Sequence, residues 1–200
     1  MRSLDYPKKQ ISEDDFKVEK IYRNPEAWIN IKGFEPKNPL AYNKRLDPHL
    51  ALPVYDYFTN EFLSYQLRSF LIHPVNFDVR YMLSKTVYGA LFKPDNIEMP
   101  GKPVVLESLY EAALLRNFGI NACATLGVKI YRINKVNEAF NDVDFIVIGD
   151  NDTSGNLFNK RLNGQPIVFD TKFKDLQEFY VAAPREFEFF VQFLKELTIT

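Results

Sequence analysis

The chain has 200 residues, of which 46% are apolar, 26% charged and 15% aromatic, with a formal net charge of −1. That length makes one domain, or one with an appendage, the default, and it allows a core large enough to fold without disulfides or a metal staple. One cysteine, Cys123, and two histidines, His49 and His73, exclude disulfide frameworks, cysteine-based zinc sites and histidine-rich metal cages. The opening MRSLDYPKKQISEDDF lacks the apolar run of a secretory signal, and no stretch approaches the ~18 apolar residues that cross a bilayer. The expectation is an intracellular, cytoplasmic protein with no membrane partner. A charge so close to neutral argues against a broad basic surface but leaves room for a locally basic groove.

Residues 1–50 hold Pro7, Pro25, Pro36, Pro39 and Pro48 among mixed charges, which reads as an extended arm with short elements, among them a strand from Ala27. In the next stretch Tyr55, Phe58, Phe62, Tyr65, Leu67 and Phe70 recur at steps near three and four, and the spacing predicts a helix closed by Pro74. A second helical segment is expected over FDVRYMLSKTVYGALF. The proline- and glycine-rich KPDNIEMPGKP then separates residues 1–99, a helical and irregular appendage for substrate recognition or oligomerisation, from residues 100–200. In the second half VVLESLYEAALLRNFGI predicts an amphipathic helix ending at Gly119. LGVKIYRI and VDFIVIG predict strands, DNDTSGNLFNKRLNGQ a long loop or hairpin tip, PIVFDTKF a third strand and FEFFVQFLKEL a closing helix. The fold class expected is α/β.

Three acids and a lysine stand out by position. Asp144 opens an otherwise apolar strand, and Asp170 and Lys172, two apart on the next one, share a face. Carboxylates brought together resist joint ionisation, so a divalent cation is their natural partner. The order is a helix carrying Glu107, a strand, Asp144 with four apolar residues, a variable loop, and Asp170-Thr171-Lys172. It resembles the PD-(D/E)XK nuclease superfamily, which includes type II restriction enzymes, Holliday-junction resolvases and CRISPR-linked accessory nucleases. The resemblance covers roughly residues 104–180, with Val143 where the family often has proline and a long loop before Asp170.

The resemblance implies a restriction-endonuclease-like core and a Mg²⁺-dependent endonuclease, with Mn²⁺ as a substitute ion. In that reading Asp144, Asp170, the carbonyl of Thr171 and Glu107 hold the metal, Lys172 assists the attacking water, and Glu111, one turn on, is the alternative helix acid. Lys174, Gln177 and Lys129 are the candidate substrate contacts, and packing is the reading preferred for Tyr180. DNA is favoured over RNA because most relatives cut DNA, and a homodimer follows from cutting two strands. The competing expectation is an inactive nucleic-acid-binding or assembly module on the same fold.

Overall fold

The computed structural model describes residues 41–42, 49–69, 81–83 and 87–199. The strand expected from Ala27, and His73, lie outside the described residues. Among the described residues the strands are β1 (Ala41–Tyr42), β2 (His49–Asp56), β3 (Phe62–Ser69), β4 (Tyr81–Leu83), β5 (Phe92–Lys93), β6 (Val104–Leu106), β7 (Ala122–Ala124), β8 (Ile146–Ile148) and β9 (Gln165–Pro166). The helices, numbered in chain order, are α1 (Leu109–Asn117), α2 (Ile130–Ala139), α3 (Thr153–Arg161), α4 (Leu176–Ala182) and α5 (Pro184–Ile199). The class is mixed α/β, as expected.

One sheet holds all nine strands, in the order β4-β3-β2-β5-β7-β6-β8-β9, with β1 pairing β2 off that path. The part from β7 to β9 is parallel, and the part from β4 to β5 is antiparallel and joins it through Phe92↔Ala124. Of the parallel strands, β6, β7 and β8 are buried on both faces and therefore read as unbroken apolar runs. Val104, Leu106, Ala122, Ala124, Ile146 and Ile148 pack on one face with α1, α4 and α5, where Phe187 is fully buried. Val105, Cys123 and Val147 alternate onto the other face, against Ile133 and Val136 of α2 and Phe158 of α3. Cys123 is a buried small side chain, as its apolar setting suggests.

Several expected elements change type, each for a local reason. The helix expected after residue 50 is the β2–β3 hairpin. Its aromatic spacing straddles a turn, in which the Asp56 carboxylate accepts the N–H groups of Phe58 and Thr59 and Asn60 takes φ of 60°. Tyr55 and Phe62 then meet across the strands, ring to ring at 5.5 Å. The described part of the second expected helix is β4 and then an irregular stretch over 87–91 that enters β5 at Phe92. Val104–Leu106, expected to open a helix, pairs on both sides as β6, and the helix begins only at Leu109; it does end before Gly119, at φ 85°.

LGVKIYRI is a turn followed by α2, not a strand. Ile133, Val136 and, at the C-cap, Phe140 are its buried apolar residues, a spacing of three and four that appears only when the segment is read past Ile133. DNDTSGNLFNKRL is a helix, α3, because the residues that favour turns also cap helices: the Asp152 carboxylate accepts the Gly155 N–H at 2.9 Å. In PIVFDTKF only the first residue of the strand expectation survives in β9, and Phe169 and Phe173 both point inward from a turn closed by Phe173 N–H on the Asp170 carbonyl. The closing helix stands, as α5.

Candidate functional site at the carboxyl edge of the parallel strands

From β6 the chain runs through α1 to β7, on one side, while from β8 it runs through α3 to β9, on the other. Adjacent parallel strands whose connections diverge leave a crevice at their carboxyl ends, where α/β folds bind ligands. The first residue beyond β6 is Glu107, and beyond β8 come Gly149, Asp150, Asn151 and Asp152. Pairing of Leu106 with Ile148 sets Glu107 level with Gly149, so both loops deliver carboxylates to one place.

These acids feel one another. Burial, then the charges of Asp150 and Asp152, push the Glu107 carboxyl up to about 7, against a partial offset from the Asp150 main-chain N–H that it accepts. Burial, then Asp175 and Asp152, push Asp150 up to about 6, and nearby Lys174 opposes the shift. Glu111, fully buried, is raised well above the ordinary range by burial first and by Asp150 and Asp175 next, while it accepts the Leu176 N–H at 3.0 Å. One oxygen of Glu107, Oε1, is enclosed without a hydrogen-bond partner.

The loop carrying Asp150 and Asp152 is held from several directions. A Cβ on Gly155 would overlap the main chain of Asp150, and one on Gly149 would overlap Gly155, so this strand-to-helix approach requires glycine at both. Asn159 Oδ1 accepts the Gly149 N–H at 2.8 Å. Asn151 Nδ2 donates to the carbonyls of Asp170 and Phe173, at 3.2 and 2.8 Å. Asp175 caps α4 by accepting the Glu178 N–H at 2.8 Å.

The residues singled out in the sequence divide. Glu107 and Glu111 lie in the crevice. Asp144 does not: it is level with Lys102, five residues back along the strand direction from Glu107, or about 16 Å at ~3.3 Å per residue. There its side chain is 90% exposed and stands 3.9 Å from the Lys102 ammonium. Asp170, Thr171 and Lys172 occupy an exposed turn after β9, where Lys172 Nζ lies 2.8 Å from Asp170 and its N–H donates to the same carboxylate. That pairing holds the Asp170 carboxyl below its usual range. The proposed quartet of Glu107, Asp144, Asp170 and Lys172 is therefore not one cluster.

Of the substrate candidates, Lys174 stands near Asp150, with its N–H bonded to Glu178; Gln177 is in α4; and Lys129 precedes α2. Tyr180 packs against Phe118 and Phe187, in keeping with the packing reading. In the sequence Asp150 and Asp152 read as turn formers. The available signal was an apolar strand, IVI, running into Gly149 and then Asp-x-Asp. Among the described residues, no three His, Cys, Asp or Glu side chains are grouped as ligands of one ion. The Asp152 and Glu111 carboxylates are turned to N–H groups of Gly155 and Leu176 instead.

No family model matches the sequence, and no curated protein does. Solved structures do. A bacteriophage T7 complex of lagging-strand DNA polymerase with primase domains of two gp4 subunits, bound to an RNA/DNA hybrid and dTTP, holds a chain aligned over 86% of this one and 85% of its own length, at 15% identity and a TM-score of 0.52. The primase fragment of the T7 primase-helicase protein aligns over 82% of this chain and 68% of its own, at 16% identity and a TM-score of 0.55. The fold is that of a primase domain. The zinc-binding and RNA polymerase domains of Aquifex aeolicus primase agree, at 14% identity and a TM-score of 0.53, over 82% of this chain but 43% of the Aquifex one.

The primase-type fold corrects the nuclease expectation. The likeness is to primase structures, not to PD-(D/E)XK nucleases, and with it fall the hydrolase activity and the restriction-endonuclease-like core. The homodimer argument, two sites for two strands to be cut, falls with the hydrolase. The inactive-module alternative gains nothing from the same structures. No helix among the described residues is long and apolar enough to cross a membrane.

Proposed function

We propose that the chain acts on nucleic acid as a metal-dependent nucleotidyl transferase of the primase kind. The observation that carries this reading is the meeting of Glu107 with the Asp150-x-Asp152 loop at the crevice between β6 and β8, on a fold shared with primase structures. In such a reaction a sugar hydroxyl attacks the α-phosphorus of a nucleoside triphosphate. A new P–O bond forms, the bond to the β-phosphate breaks, and pyrophosphate leaves with that electron pair.

The residues fit a hard divalent cation, Mg²⁺ or Mn²⁺. Glu107 has an enclosed oxygen with no partner, and the charge of Asp150 raises its affinity for positive charge, which is the imbalance that a cation relieves. Glu107 and Asp150 would hold it, while Asp152, turned to the Gly155 N–H, adds negative charge beside them. When bound, such an ion neutralises triphosphate charge and acidifies the attacking hydroxyl. The chain's own part is to hold these groups still: the glycine contact between Gly149 and Gly155 fixes the aspartate loop, and Glu111 ties α4 to α1 behind it. Lys174, near Asp150, offers a positive charge to a phosphate oxygen.

Incubating the chain with ribonucleoside triphosphates, a single-stranded DNA template and Mg²⁺ or Mn²⁺ tests this. Short template-dependent products are expected, reduced at least 100-fold by Glu107→Gln and by Asp150→Asn, and kept by Asp144→Asn. No product from the wild type with either ion, or full activity in Glu107→Gln, would overturn the reading.

A further inference from the structure

Among the described residues, the side chain of Arg132 is a buried cation with no counter-charge. The residue is 4% exposed, and among the described residues no carboxylate pairs with it. Its Nη1 donates to the carbonyls of Thr125 and Leu126, at 2.7 and 3.1 Å, which latches the loop between β7 and α2. That latch uses one nitrogen of three. Nε is enclosed with no acceptor, and Nη2 is the unbonded edge of the fork. The guanidinium lies over the Phe92 ring at 5.1 Å on the inside, with the exposed ring of Tyr131 at 5.6 Å. Aromatic faces and two neutral carbonyls recover only part of the cost of taking a full charge out of water.

The surroundings are arranged for a negative group. Arg132 sits in the first turn of α2, a helix of ten residues whose amino end has no side-chain cap and no acid in its first turn. The positive end of the helix dipole is thus unopposed, and Lys129 stands exposed at the cap position. The same loop turns through Leu126 and Gly127, both at positive φ, and the Gly127 N–H donates to the carbonyl of Glu107 at 2.9 Å. The arginine therefore belongs to the strand end next to the carboxylates.

We infer that Arg132 and the amino end of α2 form a phosphate-binding subsite beside the Glu107–Asp150 crevice. The guanidinium fork suits a phosphate, because it offers parallel N–H donors in one plane. The phosphate's carrier, a nucleoside triphosphate or a nucleic-acid strand, rests on the proposed function; the subsite itself does not. Thr125, whose carbonyl Arg132 holds, follows β7 level with Glu107 on the neighbouring strand, about 4.8 Å away, so the subsite and the carboxylates share one end of the sheet.

Calorimetric titration of the full chain without divalent ions, using inorganic tripolyphosphate and a single-stranded oligothymidylate as separate probes, tests the subsite. Wild type is expected to bind at least one of them. Arg132→Gln weakens that binding at least tenfold, and Arg132→Lys, which keeps charge but loses Nε and the fork, weakens it at least threefold. Tripolyphosphate binding alone assigns a nucleotide phosphate, and oligothymidylate binding alone a strand phosphate. Glu107→Gln is expected to bind at least as tightly as wild type, since a repelling charge is gone. No binding by wild type, or unchanged affinity in folded Arg132→Gln or Arg132→Lys, overturns the inference. Phosphate binding without template-dependent synthesis would overturn the proposed function and leave the subsite standing.

Discussion

Leu106 and Ile148 are direct partners in the parallel pairing of β6 and β8. That register decides which acids can act together. Glu107 and Asp150 leave the sheet at its carboxyl edge, while Asp144 enters at the amino edge beside Lys102. A metal-binding test separates the two ends: millimolar Mn²⁺ should raise the melting temperature of the wild type and of Asp144→Asn alike. Glu107→Gln and Asp150→Asn should lose most of the rise. An ion at 100 times its dissociation constant stabilises by about 2.7 kcal/mol, enough to read. An equal rise in Glu107→Gln would show the ion binds elsewhere.

Acidity follows from the same crowding. Folding raises Glu107 to about 7 and Asp150 to about 6, above ordinary carboxylate values. Through these two carboxyls the folded state binds more protons than the unfolded one between pH 4 and pH 7, so they make the metal-free protein lose stability as pH rises through that window. Melting temperature against pH should fall less steeply in Glu107→Gln than in wild type between pH 5 and pH 7. Parallel curves would mean that the Glu107 carboxyl is not raised. Cation binding should strengthen over the same interval, because ion and protons compete for the same oxygens.

Gly155 reverses the ordinary rule for a helix. Replacing an exposed helical glycine by alanine usually gains ~0.5–1 kcal/mol. Here the added methyl meets the main chain of Asp150, and overpacking costs ~1–3 kcal/mol. Gly155→Ala should therefore be destabilised in chemical denaturation and should bind Mn²⁺ more weakly, since the displaced loop carries both aspartates. A more stable Gly155→Ala would remove the glycine contact as the brace of the site.

Glu111 offers a cleaner split between charge and hydrogen bonding. Its carboxyl is raised well above the ordinary range and accepts the Leu176 N–H. Glu111→Gln keeps the carbonyl acceptor and removes the cost of protonating a buried carboxyl, so at pH 7 it should be at least as stable as the wild type. Glu111→Leu orphans that N–H and should cost about 1–3 kcal/mol by urea unfolding. Equal losses in both variants would mean that the ionised carboxylate is what matters.

Away from the site, Asp95 and Arg116 form a buried pair, with Nε at 2.9 Å from the carboxylate and Nη1 on the Ala122 carbonyl at 3.2 Å. Asp95→Ala strands the guanidinium, and a loss of about 3–5 kcal/mol is expected. Thermal unfolding of Asp95→Ala beside Asp95→Asn measures it, with the asparagine variant losing less.

Some of this protein was legible in the residues alone. The apolar run of β8, the closing helix, the helix end at Gly119, the buried Cys123 and the α/β class all follow from local composition and period, which act within a few residues. Glu107 was legible as a candidate, and the strand pairing places it at the crevice. What the chain alone did not reveal is decided between segments. Aromatics from Tyr55 to Tyr65 satisfy a helical spacing and a hairpin equally well until a turn at Asn60 and a partner strand choose. Asp150 and Asp152 look like any turn formers until β8 ends beside β6. Which carboxylates share a crevice depends on strand register and on the direction of the crossovers, and both are set by burying two faces of one sheet at once.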